Sequence, residues 1–216
     1  MKTKFNRSPI DTIVFDLGGV LIDWNPAYVY RNHFDDPEEM EWFLNEVCNS
    51  SWNTEQDAGR SFHTAEKILI KNYPKYEAHI KAYFIEWEKM LNGMIPGMEA
   101  LFNQLEESTK INLFALTNWS AETFPLARKY FSFLNKFEGI VVSGEEKVVK
   151  PDPQIYRILM ERYQINPENA IFIDDMHKNV VAAAELGFHA IHFQGEQDLR
   201  KRLEKLIGLK KVQMTI

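Results

Sequence analysis

Short apolar runs recur along the chain, and several of them end in a polar residue. Five such runs predict β-strands, at Ile13–Asp16, Ile111–Thr117, Gly139–Ser143, Ile171–Asp174 and His189–Phe193. Apolar runs of this length are typical of strands that are buried on both faces, as in a parallel sheet.

Helical patterns separate the later strands. Met98–Leu105 has apolar residues at helical spacing, and Asp152 followed by Pro153 is a typical helix start. The alanine-rich segment Val180–Leu186 stops at Gly187, a common residue just after a helix. The alternation of strands and helices predicts an α/β fold, in which helices cover the faces of a parallel sheet.

The segment 26–92 departs from this alternation, because it is rich in Glu, Lys and aromatic residues. Its apolar patterns are helical, at Glu38–Val47, Phe62–Asn72 and Tyr76–Leu91. We therefore predict an all-helical subdomain at 26–92, inserted into a core formed by 8–25 and 93–208, with 209–216 as a loosely held C-terminal tail.

The composition narrows the choice of partners and setting. The 216 residues are 45% hydrophobic and 26% charged, as in ordinary globular proteins, and the formal charge of −6 with dispersed Lys and Arg disfavours a nucleic-acid partner. Cys48 is the only cysteine, which excludes an internal disulfide and is typical of a reducing compartment. Residues 1–7 lack the apolar stretch of a secretory signal, and no segment reaches transmembrane length. We expect a cytoplasmic protein, without a membrane partner, that is a monomer or a homodimer.

The candidate chemistry lies next to the ends of the predicted strands. Asp16 ends the first run and opens into a glycine-rich turn, and further polar residues lie downstream at Thr117, Asn118, Lys150, Asp174 and Asp175. Taken singly, each is also typical of a turn, a helix cap or a solvated lysine. Because open α/β sheets bind ligands at the carboxyl ends of their strands, we expect the set to form one site.

The three aspartates suit attack on a phosphoryl group. A carboxylate can act as a nucleophile, and Asp16 with Asp174 and Asp175 offers the oxygen ligands that Mg²⁺ prefers. Such an ion would neutralise the phosphoryl oxygens that an anionic nucleophile must approach.

Other residues of the set would hold the phosphate. Lys150 would supply a positive charge, and Thr117 and Asn118 would supply neutral hydrogen-bond donors. The bare backbone of Gly18 and Gly19 would allow close approach to the metal or the phosphate.

These motifs resemble those of the haloacid dehalogenase superfamily of hydrolases, over roughly Ile13 to Phe193. The matching stretches are Phe15–Leu21, Leu116–Asn118, Lys150–Pro153 and Ile173–Asp175. The resemblance implies a Rossmann-like core, and it implies that 26–92 is the helical cap of the branch whose cap follows the first motif. It further implies a phosphatase of a small phosphorylated metabolite in which Thr117 and Lys150 orient the phosphate and the nucleophile.

The resemblance also assigns roles around the metal. Asp16 would form the covalent aspartyl-phosphate, and Asp175 would be the more direct Mg²⁺ ligand. Asp174 would be a ligand or its immediate neighbour, and the backbone carbonyl of Gly18 would complete the protein's share of the coordination.

Gly18 departs from the family pattern. Phosphatases of this family usually carry there, two positions after the nucleophile, an aspartate that protonates the leaving group and then activates water. General acid–base help is worth about 10²–10⁴-fold in rate, so its absence predicts slow turnover or good leaving groups, such as acyl phosphates or sugar 1-phosphates. Asp23, Asp57 and His177 are possible substitutes, although each is also typical of a structural or solvated position.

Three other functions remain open. A metal-independent 2-haloacid dehalogenase would use Asp16 without a proton donor, although the pair Asp174-Asp175 gains nothing there. A receiver-type phosphorylation switch also uses an aspartate, a lysine and Mg²⁺. Receivers place their acidic pair before the phosphorylated aspartate in the sequence, whereas here the pair Asp174-Asp175 follows Asp16. A metabolite-binding homologue with weak catalysis would also explain Gly18.

Specificity is predicted to lie in the inserted segment. The sequence of residues 52–60 predicts a polar connection between helices that enters the cleft. In that position, Arg60 could contact a substrate anion and Trp52 could pack on a sugar or ring. Both residues are equally typical of structural positions. Trp119, next to Asn118, is a further candidate for the pocket wall.

Overall fold

The computed structural model describes residues 10–209, and its centre is a five-stranded parallel sheet. The strands are β1 (Thr12–Phe15), β4 (Asn112–Thr117), β5 (Gly139–Val142), β6 (Ala170–Asp174) and β7 (His189–His192). Their order across the sheet is β5-β4-β1-β6-β7, and each neighbouring pair is parallel. The predicted parallel sheet is therefore confirmed, and each predicted strand lies within one residue of its observed ends.

Side chains of the sheet alternate between two apolar layers, one on each face. Phe15 and Ile173 belong to the first layer, whereas Val14 and Phe172 belong to the second. The first layer includes α6 (Met98–Glu106), α7 (Phe124–Tyr130) and α11 (Glu196–Ile207), and the second includes α9 (Pro153–Tyr163) and α10 (His177–Glu185). A shorter helix, α8 (Ser143–Glu146), follows β5 directly.

The local helix signals that the sequence contains are present in the structure. The Asp152 side chain caps α9 by accepting a hydrogen bond from the backbone N–H of Gln154 at 2.8 Å. Gly187 follows α10 with φ +97°, in the left-handed region that glycine adopts without strain.

The part of the chain from Ala27 to Met90 consists of helices and the turns between them, and we call it the helical segment. Its α-helices are α1 (Ala27–Tyr30), α2 (Pro37–Trp42), α3 (Ser50–Asp57), α4 (Phe62–Asn72) and α5 (Glu77–Ile85). A π-helical stretch at Phe43–Val47 continues α2, and 3₁₀ turns lie at Pro74–Tyr76 and Trp87–Met90.

Two predictions within the helical segment were wrong. The expected polar connection is largely the helix α3, whose start is fixed by the Asn49 side chain accepting a hydrogen bond from the Trp52 N–H at 2.8 Å. Only two of its eight residues are buried, so its apolar periodicity is weak in the sequence. The single helix expected at Tyr76–Leu91 is instead interrupted after Ile85, and Leu91 begins a strand.

A two-stranded antiparallel ribbon joins the helical segment to the core at both of its ends. It pairs β2 (Ile22–Trp24) with β3 (Leu91–Met94) and was not predicted. Strands this short carry little periodic signal, and Gly93, with φ +91°, further weakens the strand pattern.

Other predictions concern the membrane and the chain ends. Among residues 10–209, no helix combines the length and the apolar character that crossing a membrane requires. The N-terminal segment 1–7 and, except for Leu209, the predicted tail at 209–216 lie outside the described residues.

Candidate active site

The topology of the sheet brings the polar strand ends together. β1 lies in the middle, with β4 on one side and β6 on the other, and Phe15 is in register with both Ala115 and Ile173. The chain leaves β1 towards one side and later returns to the other, and this reversal opens a crevice at the carboxyl ends of the strands. Residues that follow β1, β4 and β6 therefore face one another.

Asp16 follows β1 at the base of this crevice and is 7% exposed. Its backbone N–H donates to the carbonyl of Ile173 at 2.8 Å, which continues the pairing of β1 with β6. Its Oδ1 accepts a hydrogen bond from the Leu17 N–H at 2.7 Å and lies 2.9 Å from Lys150 Nζ. Its Oδ2 accepts no hydrogen bond from the described part of the chain, so this oxygen is free to contact a ligand.

Lys150 lies between two carboxylates. Its Nζ is 2.9 Å from Asp16 Oδ1 and 2.7 Å from Asp174 Oδ2, and the residue is 2% exposed. Burial lowers the pKa of Lys150, but the two carboxylates outweigh that effect and leave the pKa above its usual value. The side chain is therefore a fixed positive charge.

Asn118 holds the backbone of Lys150 in place. Its Oδ1 accepts a hydrogen bond from the Lys150 N–H at 2.8 Å, and its Nδ2 donates to the Lys150 carbonyl at 3.1 Å. This double contact ties the loop after β4 to the loop that carries the lysine.

The acidic pair at the end of β6 divides into an anchored residue and an accessible one. Asp174 is fully buried and accepts hydrogen bonds from the Met176 N–H, the Asn179 side-chain amide and Lys150 Nζ. Asp175 is partly exposed and lines the cavity of the site. This difference favours Asp175 for direct contact with a ligand in the cavity.

Carboxylate oxygens of Asp16, Asp174 and Asp175 lie within 4.8 Å of one another. Three carboxylates facing one ammonium group leave two negative charges unbalanced, which one divalent cation would offset. Hard oxygen ligands in this number are what Mg²⁺ takes from proteins, so the donor set fits this ion.

The pKa values of Asp16 and Asp175 are raised, first by burial and then by neighbouring negative charge. Burial raises the pKa of Asp16 and the charges of Asp174 and Asp175 raise it further, whereas Lys150 opposes the rise. Burial and then Asp174 raise the pKa of Asp175 in the same way. A cation bound among them would favour the ionised forms.

The two glycines after Asp16 have different roles. Gly19 has φ +75°, and a Cβ there would lie 2.5 Å from Asp175 Oδ2, so only glycine fits. A Cβ at Gly18 would have no heavy atom within 4 Å. The Gly18 carbonyl accepts no hydrogen bond from the described residues, which leaves it free for a ligand.

Thr117 ends β4, and its hydroxyl is buried without a hydrogen-bond partner among the described residues. An unpaired buried hydroxyl costs free energy unless a ligand satisfies it. Its place on the strand next to β1 makes it a candidate donor to a ligand at this edge of the sheet.

A cavity of about 400 Å³ lies between the core and the helical segment, and neither Thr117 nor Asp174 is among the residues that line it. Its base includes Asp16, Gly18, Lys150 and Asp175, and Asn118 and Gly19 also line it. Its walls include five aromatic side chains: Trp24, Phe62, Tyr83, Trp87 and Trp119.

Trp52 and Arg60 do not line this cavity. Arg60 donates from Nε to Gln56 Oε1 at 2.7 Å and from a terminal nitrogen to the Trp52 carbonyl at 3.0 Å. Trp52 is 8% exposed and packs edge-on against Tyr83, with ring centroids 5.0 Å apart. Both side chains therefore hold α3 in place.

Asn53 and Asp57 line the cavity from α3 instead. They are four residues apart, so they lie on one face of the helix. If residues 50–57 are taken as a helix, this spacing alone predicts that the two side chains share a face. The sequence-based prediction includes Asp57 only as a possible substitute proton donor and does not include Asn53.

The chain matches the family model of haloacid dehalogenase-like hydrolases over residues 10–187. This match covers most of its length, so the chain belongs to that family and is a hydrolase.

Similar proteins of known name include phosphatases. The chain is 26% identical to a sesquiterpene phosphatase of Aspergillus oryzae, over 90% of this chain and 95% of that protein. It is also 26% identical to a phosphorylated carbohydrates phosphatase of Thermotoga maritima, over 85% of this chain and 84% of that protein. Its 28% identity to acyl-CoA dehydrogenase family member 10 of Mus musculus covers 91% of this chain but only 19% of that protein, so the chain spans about a fifth of that relative.

Among solved structures, a haloacid dehalogenase family enzyme of Bacteroides thetaiotaomicron superimposes with a TM-score of 0.65 at 25% identity. The match covers 87% of this chain and 96% of that one, and that structure is a complex with magnesium and inorganic phosphate. L-2-haloacid dehalogenase of Xanthobacter autotrophicus has the same fold, with a TM-score of 0.60 at 16% identity over 90% and 82% of the two chains.

Proposed function

We propose that this chain is a Mg²⁺-dependent phosphatase of a small phosphorylated metabolite, acting through an aspartyl-phosphate on Asp16. The observation that carries the proposal is the arrangement around this carboxylate. Lys150 and the Leu17 N–H fix one of its oxygens, the other oxygen is left for attack, and two further aspartates lie within 4.8 Å.

Different residues of the site would bind the phosphate and the metal ion. Lys150 and the Thr117 hydroxyl would contact phosphoryl oxygens, while Asn118 holds the lysine's backbone. Asp16, Asp175 and the Gly18 carbonyl would hold Mg²⁺, and Asp174 would orient Lys150. When bound, the ion would neutralise charge on the phosphoryl group.

The helical segment would serve as a cap over the phosphate. We propose residues 26–92 as the cap and residues 8–25 with 93–208 as the core, since the cavity lies between the helical segment and the sheet. The aromatic walls would pack against the organic part of the substrate and exclude water from the reacting group.

The phosphatase proposal draws support from the named relatives as well as from charge. Two relatives that match most of this chain are named as phosphatases. A dehalogenase would not need the extra negative charges at Asp174 and Asp175, although Gly18 suits its chemistry and the fold is shared.

The test is phosphate release from a panel of sugar phosphates, acyl phosphates and prenyl phosphates, with Mg²⁺ and with a chelator. We expect Mg²⁺-dependent release and a loss of at least ~10³-fold on Asp16→Asn, since the nucleophile is removed. Asp35→Asn, at an exposed position in the helical segment, is the matched control. Release of halide from a 2-haloacid in the presence of the chelator would instead establish a dehalogenase.

A further inference from the structure

The proposed reaction needs a proton carrier that the core does not supply at position 18. The alkoxide of an ordinary phosphate ester leaves poorly unless it is protonated, and water attacks poorly unless a base removes a proton. Among the described residues that line the cavity, five have titratable side chains: Asp16, Asp57, Tyr83, Lys150 and Asp175.

Four of these five have other roles or unsuitable acidity. Asp16 is the nucleophile, Asp175 belongs to the metal site, and Lys150 is held by two ion pairs. Tyr83 donates its hydroxyl to Asn53 Oδ1 at 3.1 Å, and burial raises its pKa well above the usual value. Asp57 is the one that remains.

The other two residues that the sequence suggests as substitutes do not line the cavity. Asp23 accepts hydrogen bonds from the Tyr28 hydroxyl at 2.8 Å and from Asn92 Nδ2 at 3.0 Å. His177 is exposed, and its ring packs against His192 at a centroid distance of 5.7 Å. Neither side chain lines the cavity.

We propose that Asp57 is the general acid and general base of this site, supplied by the helical segment in place of the aspartate that position 18 lacks. This role depends on the phosphatase function proposed above, of which Asp57 would carry out the proton transfers.

Several contacts fix the Asp57 carboxyl over the core. Asp57 is the last residue of α3, and Asn53 Nδ2 donates to its Oδ2 at 3.2 Å. Asn53 is in turn held by the Tyr83 hydroxyl. From the core, the backbone amide of Ser120 and the charge of Lys150 both act on Asp57.

Close packing between backbones holds this end of α3 against the core. Gly59, with φ +94°, lies so near α8 that a Cβ there would be 3.2 Å from the backbone carbonyl of Gly144, and it would be 3.0 Å from the side chain of Lys147, just after that helix. The carboxyl is therefore held on the cap side of the cavity that contains the nucleophile.

The acidity of Asp57 suits both halves of the reaction. Burial raises its pKa to about 7, and Lys150 and the Ser120 amide limit the rise. Near neutral pH, both the acid form and the base form are populated, which is the condition for efficient proton transfer in each direction.

The bonds and protons balance in both steps of the proposed hydrolysis. In the first, Asp16 Oδ2 forms a bond to phosphorus, the bond from phosphorus to the ester oxygen breaks, and the Asp57 proton moves to that oxygen to give the alcohol. In the second, the Asp57 carboxylate takes a proton from water while the water oxygen bonds to phosphorus. The bond from phosphorus to Asp16 then breaks, which releases phosphate and restores both residues.

The experiment compares Asp57→Asn with Glu55→Gln, an exposed carboxylate on the same helix that does not line the cavity. One substrate is the alkyl phosphate that the wild-type protein hydrolyses best, and the other is 4-nitrophenyl phosphate, whose leaving group needs no proton. For Asp57→Asn we expect kcat/KM to fall about 10²–10⁴-fold on the alkyl phosphate and less than about 10-fold on 4-nitrophenyl phosphate. We also expect a burst of nitrophenolate close to the enzyme concentration, because the phosphoenzyme is no longer hydrolysed quickly.

A purely structural role for Asp57 would produce neither the burst nor the difference between substrates. Equal losses on both substrates without a burst, or wild-type rates on both, would overturn the proposal. If the phosphatase function itself were wrong, the wild-type protein and Glu55→Gln would also release no phosphate, which distinguishes that outcome from a failure of the Asp57 proposal.

A second variant serves if the amide perturbs folding. Asp57→Ala removes the carboxyl and leaves space, so added formate should restore turnover of the alkyl phosphate in proportion to its concentration. If formate restores none of the lost activity, a carboxylate at position 57 is not the proton carrier.

Discussion

At the scale of single residues, Thr117 is unusual because its buried hydroxyl has no partner among the described residues. Thr123 is a useful contrast, since its buried hydroxyl accepts a hydrogen bond from Trp119 Nε1 at 3.1 Å. A satisfied hydroxyl stabilises the fold, whereas an unsatisfied one reduces stability until a ligand binds. The contrast is the reason for proposing that the Thr117 hydroxyl binds the phosphate.

The corresponding prediction concerns Thr117→Val. We expect the free energy of unfolding to stay constant or rise by about 1 kcal/mol, because an unpaired buried hydroxyl is removed. The inhibition constant of inorganic phosphate should rise about 10- to 100-fold, because a hydrogen bond to a charged oxygen is lost. Denaturant unfolding and inhibition kinetics measure the two effects.

Thr123→Val is the stability control for this prediction. It leaves the Trp119 N–H without its partner, so the free energy of unfolding should fall by about 1–3 kcal/mol. Equal destabilisation by the two substitutions, with phosphate inhibition unchanged in Thr117→Val, would show that Thr117 has only a structural role.

At the scale of elements, α3 determines what the helical segment presents to the core. Arg60 and Gln56 both bond to the Trp52 carbonyl, at 3.0 and 2.7 Å, and Asn49 caps the other end. These contacts hold the face that carries Asn53 and Asp57 towards the cavity.

The prediction at this scale is that Arg60→Met acts on the helix and not on the substrate anion. We expect the free energy of unfolding to fall by about 1–2 kcal/mol through the two lost hydrogen bonds, with the phosphate inhibition constant within about two-fold of wild type. A matched control is Arg128→Met, an exposed arginine on α7. A phosphate inhibition constant raised about 10-fold or more, with unchanged stability, would instead support the sequence-based expectation of anion binding.

At the scale of the whole molecule, the site reduces the stability of the fold in a pH-dependent way. The pKa of Asp57 is about 7 in the folded protein against the ordinary 3.8. The folded state therefore holds this proton to higher pH than the unfolded state does, and the free energy of unfolding falls as the pH rises from about 4 through about 7. The positive charge of Lys150 favours the ionised form of Asp57 and therefore opposes this fall in stability. Tyr83 is un-ionised over this pH range and adds no charge.

Asp57→Asn should remove this contribution. Below pH 4 the variant and the wild-type protein should have similar stability, and at pH 8 the variant should be more stable by a few kcal/mol. Denaturant unfolding in the presence of a chelator, across this pH range and beside Glu55→Gln, measures the difference. A variant that is less stable than wild type at pH 8 would show that Asp57 is not a destabilising buried acid.

Local patterns in the sequence are enough to predict the sheet and the residues at its edge. The runs around Val14, Phe114 and Phe172 are apolar on both faces, and short runs of this kind are typical of buried parallel strands. Once these strands pair in parallel, Asp16, Thr117 and Asp174 must meet at one edge, and the structure brings them together there.

The side chains that the helical segment presents to the site could be identified only from the folded chain. α3 has few buried residues, so its helical state and its orientation depend on long-range packing, such as that of Trp52 on Tyr83, that no local pattern encodes. The short ribbon of β2 and β3 likewise exists through pairing across residues 24 and 91, which are far apart in sequence. Asp57 lines the same cavity as Asp16 for the same reason: the position of its helix is set by contacts between distant parts of the chain.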